Sequence, residues 1–299
     1  MTAGREGQTF AGQGAFLRHV NLVKLPHTVF ALPFAIVGVI LASRTAPLSV
    51  EQVGWVVLAF TSARFAAMGF NRIVDREIDA RNPRTRMREI PAGVMSVREA
   101  ATAVIVASLL FIVAAWRLNP LCLVLAPVAL AWVLFYSYTK RFTRWSHLVL
   151  GVGLAIAPVG GYLAVTGAWS SPWWMLIALA LAVAGWVGGF DILYSLQDAS
   201  FDRENGLHSV PVAFGASRAI LVARMLHVIT VAGLALAGIA LGAGMLYFAG
   251  VAVAASLLLY EHSLVRADDI SRLNAAFFTM NGIISITFCL FVLADRVIR

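Results

Sequence analysis

WVVLAFTSARFAAMGFNRIVDREID, residues 55–79, decides the class of this chain. Its first sixteen residues carry one charge, Arg64; its last nine carry five. So abrupt a change marks where an apolar helix leaves hydrocarbon for water. Asp75 and Asp79 are four residues apart, a spacing that turns both carboxylates to one face of a helix. The pattern returns in DILYSLQDASFD, residues 191–202, where Asp198 and Asp202 follow Asp75 and Asp79 at the same offset of 123 residues.

The surroundings of these acids are apolar. Of 299 residues, 60% are hydrophobic and 13% charged, with a mean hydropathy of +0.83. A soluble domain carries about a quarter charged residues, so the composition predicts an all-α, polytopic membrane protein. Alternating strands of about ten residues, the mark of a membrane barrel, are absent from the sequence. Met1–Ala15 is polar and glycine-rich, so insertion is expected to rely on the first span and not on a cleavable signal. Cys122 and Cys289 fall in apolar stretches and read as small packing residues. The net charge of +8 resides in a few short loops. That distribution records membrane orientation and excludes nucleic acid as the partner.

Nine spans of near the required 20 residues are expected, at about 22–42, 50–70, 100–117, 119–137, 147–166, 172–192, 219–240, 244–261 and 274–294. The connection 71–98 holds seven arginines, and 138–146 holds Lys140, Arg141 and Arg144; 167–171 and 241–243 hold no charge. The positive-inside rule then makes the charged connections and the N-terminus cytoplasmic, in a plasma (inner) membrane. Nine spans put the C-terminus outside, against the mild pull of Arg296 and Arg299. Both acidic motifs fall on the cytoplasmic face. They read as copies: Asn82 and Asn205 share the offset of 123, and each motif runs on through a proline and a glycine to a basic helix start. A single domain over 1–299 is expected, built of a repeat at about 22–142 and 147–265 with a final helix at 274–294.

Four or five carboxylates meeting on one face repel one another unless a cation joins them. Mg²⁺ takes oxygen ligands and bridges carboxylates to phosphate. It also offsets the charge that builds on a departing diphosphate. Asp75, Asp79, Asp198 and Asp202 are the expected metal ligands, with Asp191 completing the set or polarising a second substrate. Arg72, Arg76, Lys140, Arg141 and Arg203 are candidates for the remaining phosphate oxygens. Asn71 either caps a turn or joins the site; Tyr194 occupies its repeat position and can donate to phosphate. A lone loop aspartate is usually solvated and idle. The repeated spacing on one face outweighs that reading. His27 in the first span reads as a packing or hydrogen-bonding residue, and His147, His208, His227 and His262 form no metal-ligand spacing.

Asn71-x-x-x-Asp75-x-x-x-Asp79 and Asp191-x-x-Tyr194-x-x-x-Asp198-x-x-x-Asp202, with YSYTKR at 136–141, resemble the signature motifs of the intramembrane aromatic prenyltransferases, the UbiA superfamily. The resemblance covers nearly the whole chain and points most closely to the 4-hydroxybenzoate polyprenyltransferases. It implies a helical bundle around a central cavity, Mg²⁺, and transfer of a polyprenyl group from polyprenyl diphosphate to a ring carbon of a small aromatic acid within the lipid bilayer, in ubiquinone-type quinone biosynthesis. Arg72 after Asn71 departs from the Asn-Asp of many benzoate enzymes. The run 75–93 also resembles a branch that prenylates a hydroxynaphthoate-like acid in futalosine-linked menaquinone synthesis. An acidic acceptor needs a cation, and Arg64 is expected there: an unpaired arginine in a span is costly, and the family places an arginine at this point. Snorkelling, or pairing with a structural acid, is the alternative. Phe65, Phe70, Tyr136 and Tyr138 are candidates for stabilising an allylic cation, although aromatics in such a chain mostly pack. Glycines at 151, 153, 160, 161, 185, 188 and 189 allow close helix packing or leave room for substrate.

Two other classes fit parts of the pattern. A transporter would carry repeats and spans, but its binding groups are expected near the bilayer midplane and not at one face. A structural membrane protein has no use for five aligned carboxylates.

Overall fold

A computed structural model describes residues 14–273 and 280–299, with the side chains of 15–16 and 25–30 excepted. His27 and the start of the span expected at 274 therefore lie outside the described parts. The described residues are helical, and eight helices are long and apolar enough to cross a membrane. In chain order the helices are α1 (Ala15–Leu22), α2 (Leu25–Ala42), α3 (Val50–Val74), α4 (Arg76–Arg81), α5 (Val97–Leu118), α6 (Pro120–Thr139), α7 (Ser146–Thr166), α8 (Trp174–Ser195), α9 (Ala199–Glu204), α10 (Val210–Phe214), α11 (Ala216–Ala240), α12 (Met245–Ser263) and α13 (Asn281–Ile298). The span expected at 22–42 falls on α2, whose fully described part, Ala31–Ala42, is apolar. Length and composition thus support eight spans among the described residues.

Helix starts follow local chemistry. Ser49 and Gln52 exchange side-chain and backbone hydrogen bonds in a capping box that opens α3. Ser96 caps α5 by accepting from the Glu99 N–H. The sparse punctuation at 117–120 proves to be a tight turn. Asn119 accepts from the Cys122 N–H to start α6, Pro120 takes the first helical position, and the Asn119 amide donates to the Leu163 carbonyl at 2.9 Å.

The glycines divide by role. A Cβ at Gly38 would run into the Pro158 carbonyl oxygen, and one at Gly161 into that of Ala35. These two glycines let α2 and α7 touch backbone to backbone. Gly151 does the same between α7 and α8, and Gly185 between α8 and α11. Gly153, Gly160 and Gly161 line a cavity, and at the first two a Cβ would meet no backbone within 4 Å. Around Trp186 of α8 the core gathers Phe34 of α2 at 4.7 Å between ring centroids, with Phe288 of α13 next to Phe34 and Tyr247 of α12.

At the end of the bundle away from Asp75, the loop after α2 meets the last helix. Arg44 pairs with Asp295, which also accepts the backbone N–H groups of Gly244 and Tyr247. Arg296 donates to Ser43, and Arg299 to the Gly242 carbonyl. These contacts place the C-terminus of α13 at the end opposite the acidic motifs. Arg296 and Arg299 are absorbed as caps of neighbouring backbone.

Candidate active site

Each acidic motif sits at a break in a long helix. The α-helix stops at Val74, Asp75 takes φ −92° and ψ 6°, and α4 begins at Arg76. After α8, Leu196–Asp198 form a single 3₁₀ turn, Asp198 takes φ −99° and ψ 0°, and α9 begins at Ala199. The six residues of α4 and the six of α9 are themselves 123 positions apart. The same break therefore occurs at the same place in both motifs. The i→i+4 bond from the Asp79 N–H to the Asp75 carbonyl survives it, at 2.8 Å.

Every acid here meets a base. Arg84, on the connection after α4, reaches across to the second motif: its Nε lies 2.9 Å from Asp198 Oδ1 and its Nη2 2.6 Å from Oδ2. Its third nitrogen donates to the Tyr194 hydroxyl at 3.0 Å, and Asn82 donates to Asp198 Oδ1 at 3.1 Å. Arg88 pairs with Asp79 at 2.7 Å, Lys140 with Asp202 at 2.8 Å and Arg141 with Asp75 at 3.2 Å. Asn71 donates to the Asp75 carboxylate at 2.8 Å. Asp191 pairs with His147 at 2.7 Å. Burial pushes the Asp75 carboxyl above the usual range, and neighbouring Asp79 adds to the shift against the pull of Arg141 and Asn71.

A cavity of about 660 Å³ adjoins this cluster. Its polar end holds Asn71, Arg72, Arg88, Asp191 and Tyr194; its walls are apolar and come from α2, α3, α5, α6, α7 and α8. Arg64 and Tyr136 line it too. The Arg64 Nε is buried and has no hydrogen-bond partner among the described residues. Tyr136 lies within electrostatic reach of Asp191, Asp75, Arg88 and Arg64, so both motifs and the cavity converge on it. The remaining residues singled out in the sequence fall as follows. Arg72 is buried and donates to the Leu22 carbonyl as well as lining the cavity. Arg203 lies exposed on α9. Phe70 packs edge-on against Tyr138.

Arg84, Arg88, Asn82 and His147 escaped the sequence reading. Arg84 and Arg88 were counted among seven orientation-setting arginines, and nothing local tells which of the seven fold inward. Asn82 was read only as a repeat marker. His147 stands alone in its helix with no ligand spacing.

The donor set fits a hard divalent cation. Four aspartates supply oxygen only, and Asp79 Oδ2 is buried without a hydrogen-bond partner. Among the described residues no three acidic, histidine or cysteine side chains are yet gathered at ligand spacing. Each of the four acids is paired with a base.

A polytopic helical protein with paired acids and bases at the mouth of an apolar cavity is built as an enzyme for a substrate with a charged head and an apolar tail. Residues 31–283 match the UbiA prenyltransferase family, and the chain belongs to it. It is similar to the 4-hydroxybenzoate octaprenyltransferase of Aromatoleum aromaticum, at 32% identity over 77% of each chain. That of Alkalilimnicola ehrlichii is 33% identical over 70% of each. Among solved structures, the apo UbiA homolog from Aeropyrum pernix K1 superposes with a TM-score of 0.82 at 31% identity, over 90% of this chain and 98% of that one. A UbiA homolog from Archaeoglobus fulgidus bound to DMAPP and Mg²⁺ shares the fold, with a TM-score of 0.71 at 22% identity over 94% and 100%.

Proposed function

We propose that this prenyltransferase moves a polyprenyl group from polyprenyl diphosphate to a ring carbon of 4-hydroxybenzoate, in ubiquinone-type quinone synthesis. The observation that carries this reading is the content of one cavity: Arg64 and Asp191 line it, and the paired aspartates adjoin its polar end. The named relatives at 32% and 33% identity support the acceptor.

Asp75, Asp79, Asp198 and Asp202 would hold Mg²⁺. Bound there, Mg²⁺ neutralises charge on the diphosphate as its carbon–oxygen bond breaks. Arg84, Arg88, Lys140 and Arg141 each neutralise one of these carboxylates and are placed to turn to phosphate oxygens instead. Asn71, Arg72, Tyr194 and Arg203 complete the diphosphate-binding set. Arg64 takes the acceptor carboxylate. Asp191 accepts from the acceptor hydroxyl, which enriches the adjacent ring carbon. The donor's carbon–oxygen bond breaks as diphosphate leaves, the ring carbon bonds to the allylic carbon, and the ring proton passes to a base. The apolar walls keep water from the allylic cation. In this reading nine spans surround a central cavity, two repeats of four spans are joined by a last helix, and the acidic end faces the cytoplasm from a plasma (inner) membrane.

Asn71-Arg72 and the run 75–93 favour a second acceptor, a hydroxynaphthoate-like acid of futalosine-linked menaquinone synthesis. Membranes holding the protein, given Mg²⁺, a polyprenyl diphosphate and either acid, separate the two by product mass. Prenylated benzoate supports the first reading. Prenylated naphthoate alone replaces it, and solute uptake into vesicles without any product would make the protein a carrier.

A further inference from the structure

His147 is buried, with 1% of its side chain exposed, at the start of α7. Both ring nitrogens are engaged. Nε2 stands 3.4 Å from the backbone nitrogen of Val210, the first residue of α10. A backbone N–H only donates, so Nε2 is the lone-pair nitrogen and Nδ1 carries the proton. Nδ1–H therefore donates to Asp191 Oδ2, at 2.7 Å. Oδ1 of Asp191 takes no hydrogen bond from the described residues, and Asp191 lines the cavity.

The sequence builds this arrangement through a small residue. Gly188 lies one turn before Asp191, and a Cβ there would press on Leu148 at 3.1 Å and meet the His147 carbonyl at 3.6 Å. With glycine at 188, the start of α7 comes close enough for the imidazole to reach Asp191. On its other side the ring is tied to the loop that follows the second motif. In that loop the Leu207 N–H donates to the Asp202 carbonyl and the His208 N–H to that of Lys140, each at 2.8 Å.

We propose that His147 is a positioning residue for prenyl transfer: its Nδ1–H fixes one oxygen of Asp191 and so aims the other at the hydroxyl of the aromatic acceptor. The proposal rests on the reading that Asp191 meets the acceptor. A carboxylate free to rotate would offer the hydroxyl either oxygen at varying distance. A donor on Oδ2 removes that freedom, which is how an outer hydrogen bond acts on a working group.

Steady-state kinetics on His147→Leu, His147→Asn, Asp191→Asn and the double variant His147→Leu/Asp191→Asn test it. Leu fills the site without a donor, whereas the Asn amide nitrogen sits where Nδ1 does. The expected result is a loss of about ten- to a hundredfold in kcat/KM for the acceptor in His147→Leu, with KM for the prenyl diphosphate unchanged. His147→Asn should recover most of that loss, and the double variant should be no worse than Asp191→Asn. Equal losses for both substrates with no recovery by Asn would make His147 a packing residue and overturn the proposal. So would a double variant whose losses multiply. Normal acceptor kinetics in Asp191→Asn would instead remove the underlying reading of Asp191, an outcome told apart by Asp191→Asn alone.

Discussion

Arg84 holds Asp198 by two parallel hydrogen bonds, of 2.9 and 2.6 Å, across 114 residues of chain. The arginine belongs to the connection after the first motif and the aspartate to the second, so the two motifs are joined by a buried ion pair at the site itself. The Asn82 amide donates a third hydrogen bond to the same carboxylate, at 3.1 Å. Removing one partner of a buried pair strands the other charge, at a cost of about 3–5 kcal/mol.

Arg84→Ala should therefore lower the thermal unfolding midpoint in Mg²⁺-free detergent and reduce transfer. Arg84→Lys keeps the charge without the fork and should fall between Ala and the parent. An unchanged midpoint in Arg84→Ala would show that the pair contributes nothing.

Arg64 should matter only to an acceptor bearing a carboxylate. Arg64→Leu is expected to raise KM for 4-hydroxybenzoate by about tenfold or more, the worth of a charged hydrogen bond. It should leave turnover of a phenol lacking the carboxylate near the parent value. Equal losses with both acceptors would make Arg64 a structural cation.

Two adjacent glycines should respond in opposite ways. Gly160 lines the cavity and a Cβ there meets nothing within 4 Å, whereas one at Gly161 collides with the Ala35 backbone. Gly160→Ala should be neutral or stabilising by up to about 1 kcal/mol, since alanine favours helix, and should shift the preferred donor length. Gly161→Ala should destabilise by about 1–3 kcal/mol. Midpoints of the two variants, with product lengths from mixed donors, check both.

Asp295 is 2% exposed and serves Arg44 and two backbone N–H groups at the far end of the bundle. Asp295→Ala should destabilise by about 3 kcal/mol or more, while turnover per folded molecule stays at the parent level. A fall in that turnover would mean that the far end is coupled to the site.

Much of this architecture was legible in the sequence because hydrocarbon imposes a simple grammar. Apolar runs near 20 residues gave the helices, and the turn at Asn119–Pro120 was visible through its proline. The 123-residue offset paired the two motifs, but nothing in the sequence marked the helix breaks at Asp75 and Asp198. Partners were not legible. Arg84 and Arg88 look like any arginines of a basic loop, because inward pairing depends on how residues 82–95 fold back. His147 carries no spacing signal, since its partners lie 44 and 63 residues away. Eight of the expected spans meet helices that length and composition mark as membrane-crossing among the described residues.

The central claim is that two distant acidic motifs form one metal–diphosphate site. Mg²⁺ titration of prenyl transfer in the parent, Asp75→Asn, Asp198→Asn and the double variant tests it most directly. One shared site predicts that each single change costs about a hundredfold or more and that the double variant is scarcely worse than either. Losses that multiply in the double variant, or single variants that keep the parent's Mg²⁺ dependence, would contradict it.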